Sequence, residues 1–115
     1  MNAVVETNTE PMLLREDANG VATLTLNRPG QFNSLSRSML EVLLAELESI
    51  AADKSVRAVV LAGAGKAFCA GHDLKEMRGN HTKAFMQALF RLSGKVLMQI
   101  VNTPQPVIAR IHRIA

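Results

Sequence analysis

The segment from Ala64 to Met77 carries the residues whose types and spacing could do chemistry. It reads AGKAFCAGHDLKEM, with small residues followed by a helix start at Asp73. The first amides of a helix have no acceptor within the helix and lie at the positive end of its dipole. Because Ala70 and Gly71 have almost no side chain, a ligand can approach the backbone closely. The pattern therefore predicts backbone N–H donors that stabilise an anion or a polarised carbonyl oxygen.

The same segment has an alternative, purely structural interpretation. Many strand-to-helix turns in α/β proteins contain glycine and an N-capping aspartate without binding a ligand. Asp73 suits the N-cap of the helix, and Lys75 suits an exposed position on its surface. The side chain of His72 could line a pocket, pack against the protein or face solvent. The segment by itself leaves these alternatives open.

Other chemical patterns in the chain are incomplete. Gly65-Lys66 is similar to the end of the phosphate-binding loop G-x-x-x-x-G-K-[ST], but Val60 replaces the first glycine and Ala67 the hydroxyl residue. This argues against a nucleotide-binding switch domain. The histidines lack metal-ligand spacing, so we predict no metal site. Cys69 is the only cysteine, which excludes an intrachain disulfide and favours a packing role.

The composition is typical of one small globular domain or part of one, with 48% hydrophobic and 20% charged residues. The net charge of +3 is scattered and the chain has no Trp or Tyr, which argues against a nucleic-acid partner. No apolar run approaches the roughly 18 residues of a membrane span, so we expect no membrane partner. The first ten residues lack Lys and Arg, unlike a secretory or mitochondrial presequence. We expect a cytoplasmic location, with the mitochondrial matrix as the alternative for a processed eukaryotic protein.

Strand and helix patterns alternate on both sides of the segment. The Asn19-Gly20 pair predicts a hairpin turn, and the next strand alternates with Ala22, Leu24 and Leu26 on one face. Apolar residues at helical spacing predict two longer helices. The order predicts an α/β fold built from ββα units. Its predicted elements are a disordered segment at 1–11, strands at 12–16 and 21–27, a helix from Ser36 to about Asp53, a buried strand at 56–62, a helix from about His81 to Asn102 and a buried strand from Val107.

Three ordered motifs resemble those of the crotonase, or enoyl-CoA hydratase/isomerase, superfamily. Residues 67–77, AFCAGHDLKEM, resemble the motif F-x-A-G-x-D-L/I-K. Residues 26–29 followed by 33–36 are similar to N-R-P…N-A/S-L-S, and residues 103–109 are similar to K/T-x-P-V-I-A. With a histidine after Gly71, this loop resembles the G-H-D-L-K-E loop of the enoyl-CoA hydratase domain-containing proteins. The resemblance covers about residues 12 to 115.

The resemblance implies an α/β, crotonase-like fold, which is a spiral of ββα turns. Residues 12–115 would form the N-terminal part of that domain, with the C-terminal half missing. In the family, a C-terminal helical region packs subunits into trimers. We therefore expect a homo-oligomer of the trimer type for the full-length family and not for this fragment.

The resemblance also implies a ligand and a site. An acyl-CoA thioester would bind with its carbonyl oxygen between two backbone amides, one of which is the N–H of His72. Ala70, His72, Asp73, Leu74 and Lys75 match the substrate-binding positions. Coenzyme A would be part of the substrate, so no separate cofactor is expected. The implied reaction is lyase or isomerase chemistry through an enolate, as in fatty acid metabolism.

The chain departs from the family pattern in three places. Arg113 stands where the family has the glycine of the second amide donor, and loss of one such donor typically costs about 10²–10³ in rate. Gly30-Gln31-Phe32 lacks the basic residue that is usual in that loop, which leaves Arg28 or Lys66 to contact the phosphates. The acid–base glutamates of the hydratases lie beyond Ala115.

None of the four glutamates considered as substitutes matches those acid–base positions. They are Glu41, Glu46, Glu48 and Glu76, and the simplest interpretation of the helix glutamates is surface charge. We therefore predict that this chain is catalytically weak or inactive. The alternative function is that of a non-catalytic, truncated acyl-CoA-binding remnant or an interaction fragment.

Overall fold

The computed structural model describes residues 10–112. A short 3₁₀ turn, Pro29–Gln31, lies between the second strand and the first helix. The predicted disordered segment at 1–11 falls almost wholly outside the described residues, and Arg113 lies outside them too. Within the described range the elements are β1 (Leu13–Ala18), β2 (Val21–Leu26), α1 (Arg37–Ala51), β3 (Ala58–Gly63), α2 (Leu74–Gly79), α3 (Lys83–Asn102) and β4 (Val107–Ala109).

The first two strands form the predicted hairpin. Asn19 and Gly20 have φ angles of +53° and +81°, and positive φ at both central residues is the requirement of the two-residue turn that matches strand twist. Strands β1 and β2 pair antiparallel from Leu13 opposite Leu26 to Ala18 opposite Val21. The hairpin prediction is confirmed, with β1 extending two residues further than expected.

The strand order of the sheet is β1-β2-β3-β4. Strand β3 pairs parallel to β2, with Leu26 opposite Gly63 at their carboxyl ends, and β4 pairs parallel to β3. Because parallel strands end at the same edge of a sheet, the loops that follow β2 and β3 begin side by side. This places the Arg28–Ser34 loop next to the loop that carries His72.

Helix α1 covers one face of the sheet. The Ser36 side chain caps it by accepting the Met39 N–H at 3.1 Å, as predicted. Burying a leucine or isoleucine side chain stabilises the fold by about 1.5–3 kcal/mol, so this interface provides much of the core. The alternation predicted for β2 is confirmed. The buried residues of the interface are Ala22, Leu24 and Leu26 from the strand and Met39, Leu40, Leu43, Leu47 and Ile50 from the helix.

Strands β3 and β4 are less buried than predicted. Val59 and Ala62 are buried, but Leu61 is half-buried, and Ile108 of β4 is 55% exposed. The prediction of a buried strand from Val107 is therefore wrong within the described residues. Because strand side chains point to the faces of a sheet, the exposure of Ile108 means that none of residues 10–112 covers it.

The helix predicted from about His81 begins two residues later. The Thr82 hydroxyl accepts the Phe85 N–H at 3.2 Å and so sets the start of α3 at Lys83. The buried side chains of α3 are Leu89 and Val96. Leu97 and Val101, which belong to the apolar pattern of this segment, are 63% and 73% exposed. Among residues 10–112, no helix has the length and hydrophobicity that a membrane span requires.

Candidate functional site

The loops after β2 and β3 pack against each other at close range. Gly65 has a φ of +82°, and a Cβ atom at this position would lie 2.6 Å from the Cβ of Pro29. A residue with a side chain would therefore be strained in its backbone and would collide with the neighbouring loop. Glycine at this position lets the two loops meet.

The side chain of Asn33 joins the two loops. Its Oδ1 accepts the N–H of Arg28 at 2.7 Å, and its Nδ2 donates to the carbonyl oxygens of Ala64 and Ala67, both at 2.9 Å. Asn33 is fully buried and has a φ of +54°, a conformation that asparagine tolerates better than most residues. The sequence marks Asn33 as a motif residue, whereas the structure shows that it links the loops.

Backbone bonds then fix the peptide unit between Gly71 and His72. The N–H of Leu35 donates to the Gly71 carbonyl oxygen at 2.7 Å, and the N–H of Asp73 donates to the Leu35 carbonyl oxygen at 3.3 Å. Gly71 has a φ of +92°, which favours glycine. Because a trans peptide directs its N–H opposite to its C=O, the N–H of His72 points away from Leu35. Within residues 10–112 this N–H donates to no protein acceptor.

The two carboxylates after His72 act as helix caps. Asp73 caps α2 by accepting the Glu76 N–H at 3.1 Å, as its sequence position predicts. The Glu76 carboxylate accepts the Arg37 N–H at 2.8 Å and so contacts the first residue of α1. Glu76 is therefore not a purely solvated charge, because it connects α2 to α1.

An open cavity of about 330 Å³ lies beside these loops. Phe32 and Leu74, which are 52% and 66% exposed, place two large apolar side chains at the cavity. The structure brings together all five residues selected from the sequence. The complete lining is Gly30, Gln31, Phe32, Ser34, Ala70, His72, Asp73, Leu74 and Lys75.

The cations suggested for phosphate contact lie elsewhere. Neither Arg28 nor Lys66 lines the cavity, and an Nη1 of Arg28 donates to the Asn27 carbonyl oxygen at 3.2 Å. Lys75 supplies a cation to the cavity wall instead. In the described part of the chain, no cluster of three His, Cys, Asp or Glu side chains could hold a metal ion.

The side chain of His72 packs against α3. Its Nε2 lies 2.9 Å from the Oγ of Ser93, and its ring meets the Phe90 ring edge-on, with centroids 5.7 Å apart and an interplanar angle of 87°. Of the alternatives that the sequence left open for this side chain, the structure selects packing. His72 is also one of the residues that line the cavity.

Comparison with known proteins identifies the family. The enoyl-CoA hydratase/isomerase family model matches residues 16–115. The chain belongs to this family. The crotonase resemblance and the prediction of the N-terminal part of a crotonase-like fold are both confirmed.

Solved members of the enoyl-CoA hydratase/isomerase family have the same fold. The enoyl-CoA hydratase of Mycobacterium smegmatis is 54% identical with a TM-score of 0.87, and the match covers 90% of this chain and 40% of that one. The enzyme of Bacillus anthracis is 38% identical with a TM-score of 0.87, covering 91% and 41%.

Two curated family members are matched at lower identity. Enoyl-CoA hydratase domain-containing protein 3, mitochondrial, from Homo sapiens is 31% identical over 96 residues, which is 84% of this chain and 32% of that protein. The 1,2-epoxyphenylacetyl-CoA isomerase of Escherichia coli is 33% identical over 99 residues, which is 84% and 38%. The chain therefore spans about a third of the length of these relatives.

Sequence reasoning on this family member missed two side-chain roles. The bridging role of Asn33 could have been suspected from the sequence. A polar residue stands there between the apolar Phe32 and Leu35, shortly after a Pro-Gly turn. The contact between Ser93 and His72 had no sequence signal, since serine inside a helix usually faces solvent or bonds to its own backbone.

Proposed function

We propose that this chain binds an acyl-CoA thioester at the cavity and that the N–H of His72 polarises the thioester carbonyl oxygen. The observation that supports this most directly concerns His72, a residue that lines the open cavity and whose backbone N–H has no acceptor among residues 10–112. Buried or half-buried backbone donors nearly always have a partner, so an unpartnered one at a cavity wall favours a ligand acceptor.

The rest of the wall suits the other parts of coenzyme A. The exposed side chains of Phe32 and Leu74 offer apolar surface to the adenine ring, and Ala70 leaves room for it. Lys75 offers a positive charge to the phosphates. Asp73 contributes to the structure of the site by capping the start of α2, since its carboxylate already accepts the Glu76 N–H.

The chemistry assigned to the site is stabilisation of an enolate. When a proton leaves the carbon next to the thioester, negative charge moves to the carbonyl oxygen, and the hydrogen bond from His72 becomes stronger. For the whole protein we extend this to lyase or isomerase chemistry in fatty acid metabolism and to a homo-oligomer of the trimer type. The location we propose is cytoplasmic, or the mitochondrial matrix in a processed eukaryotic protein.

The test compares two ligands that differ only in the carbonyl oxygen. Acetyl-CoA has the thioester, and S-ethyl-CoA is the corresponding thioether. We expect calorimetric titration of the chain to give about two- to tenfold tighter binding of acetyl-CoA, which is the contribution to affinity expected of one neutral hydrogen bond. Equal affinities would contradict the role of His72, and absence of binding would contradict the acyl-CoA site.

Two lysine variants locate the phosphate contact. Lys75→Ala removes the cation of the cavity wall and should weaken both ligands by a similar factor. Lys83→Ala removes an exposed lysine at the start of α3, which does not line the cavity, and should leave both affinities unchanged. Equal effects of the two variants would show that only overall charge matters.

A further inference from the structure

Helix α3 contacts the side chain of His72, whereas Leu35 contacts its backbone. The His72 Nε2 lies 2.9 Å from the Ser93 Oγ, and that hydroxyl lies 3.1 Å from the Leu89 carbonyl oxygen of its own helix. A serine hydroxyl has one proton and two lone pairs. Both tautomers of His72 allow the contact: the Ser93 oxygen accepts from a protonated Nε2 while its hydroxyl donates to Leu89, or the hydroxyl donates to an unprotonated Nε2.

The buried face of α3 carries Ser93 in a fixed place. Leu89, Ser93 and Val96 follow one another at intervals of four and three residues, which places them on one side of a helix. Leu89 and Val96 are buried in the core, and Ser93 between them is half-buried. The Phe90 ring completes the contact, edge-on to the imidazole.

The peptide that bears the candidate donor therefore has two anchors. Leu35 fixes the Gly71 carbonyl group, and α3 fixes the His72 side chain. The second anchor matters because Gly71 has no Cβ to restrict rotation of the peptide that follows it. A preorganised donor is effective only when its direction is held before the ligand arrives.

We infer that Ser93 and Phe90 are positioning residues, which act through the imidazole of His72 to fix the direction of its backbone N–H. This inference rests on the proposed function, because it names the residues that make the same site work. It also gives α3 a role in orienting His72, although the residues of this helix do not line the cavity. The packing of α3 on the core is thereby coupled to the geometry of the thioester site.

The experiment measures the preference for acetyl-CoA over S-ethyl-CoA in four forms of the chain. In the unaltered chain and in Ser93→Thr, which keeps the hydroxyl, we expect a preference of about two- to tenfold. This is the contribution of one hydrogen bond to affinity. In Ser93→Ala we expect most of the preference to be lost while S-ethyl-CoA binds as before. Ser49→Ala is the matched control, an exposed serine of α1 away from the loop.

The outcomes separate this inference from the proposed function. If Ser93→Ala keeps the preference, or weakens both ligands equally, Ser93 has no positioning role and the inference is overturned while the proposed function stands. If the unaltered chain has no preference, both fail.

Discussion

At the scale of single residues, the site depends on side chains that satisfy backbone groups. Asn33 satisfies one N–H and two carbonyl oxygens from three different positions, and it does so while fully buried. Its amide has a donor and an acceptor end, and both are needed. The shape of the cavity wall therefore depends on a residue that does not line the cavity.

We expect Asn33→Ala to lower the free energy of unfolding by at least about 3 kcal/mol. The change leaves the N–H of Arg28 and the carbonyl oxygens of Ala64 and Ala67 without their partner, and each buried unsatisfied group costs about 1–3 kcal/mol. Urea unfolding measures the effect. Asn102→Ala, an exposed asparagine at the end of α3, is the control and should change stability little; similar losses in the two variants would contradict the linking role.

At the scale of elements, Arg15 links the hairpin to α1. Its Nε lies 2.8 Å from the Asp17 carboxylate and its Nη1 lies 2.9 Å from the Glu46 carboxylate of α1. The hydrogen bond from Arg15 lowers the pKa of Asp17 below its usual 3.8. The pKa of Asp53 is also lowered, chiefly by the hydrogen bond from the Ser55 hydroxyl. Glu46, taken from the sequence as a surface charge, is therefore part of an ion-pair network.

We expect the stability of the fold to decrease on acidification below about pH 4. A carboxyl group whose pKa is lower in the folded state stabilises the fold above its unfolded pKa, and that contribution is lost as the pH falls through the folded pKa. Because Asp17 is exposed, solvent screens the interaction and the effect is modest.

Unfolding in urea between pH 3 and pH 6 would measure this effect in the unaltered chain, in Asp17→Asn and in Glu16→Gln. Asp17→Asn should flatten the dependence on pH, because it removes one of the two carboxylates whose pKa is lowered in the fold. Glu16→Gln changes a neighbouring exposed carboxylate with no ion pair among the described residues and should retain the full dependence. Identical curves for the two variants would contradict the assignment to Asp17.

At the scale of the whole molecule, the carboxylates beside the proposed thioester site already serve as helix caps. Asp73 and Glu76 are the carboxylates next to the candidate donor, and both already accept backbone N–H groups as helix caps. Hydration of a double bond needs carboxylates positioned on the acyl chain. Binding and turnover should therefore separate in the 115-residue chain.

We expect this chain to bind acetyl-CoA and to hydrate crotonyl-CoA at the background rate or only slightly above it. Loss of the enoyl absorbance measures the reaction. Turnover well above background would contradict the prediction, and Glu76→Gln would then reveal whether Glu76 supplies the proton transfer. If Glu76→Gln retained that turnover, the carboxylate responsible would have to be sought elsewhere in the chain.

Much of the fold follows from local patterns in the sequence. The turn at Asn19-Gly20, the alternation along β2 and the caps at Ser36 and Asp73 are interactions between residues that are close in the chain. Such interactions depend on residue type and spacing, so a single sequence reveals them. The motif at residues 67–77 likewise selected Ala70 and the residues from His72 to Lys75, which line one cavity.

The tertiary structure alone decided which distant groups meet. The bonds from Asn33 to Ala64 and Ala67 span 31 and 34 residues, and the bond from His72 to Ser93 spans 21. The exposure of Leu97 could not be predicted from the sequence either. Helical spacing predicts which residues form the apolar face of a helix, but it does not predict what packs on that face. Contacts of this kind depend on how the elements dock, and docking is set by the packed core as a whole rather than by any short stretch of the chain.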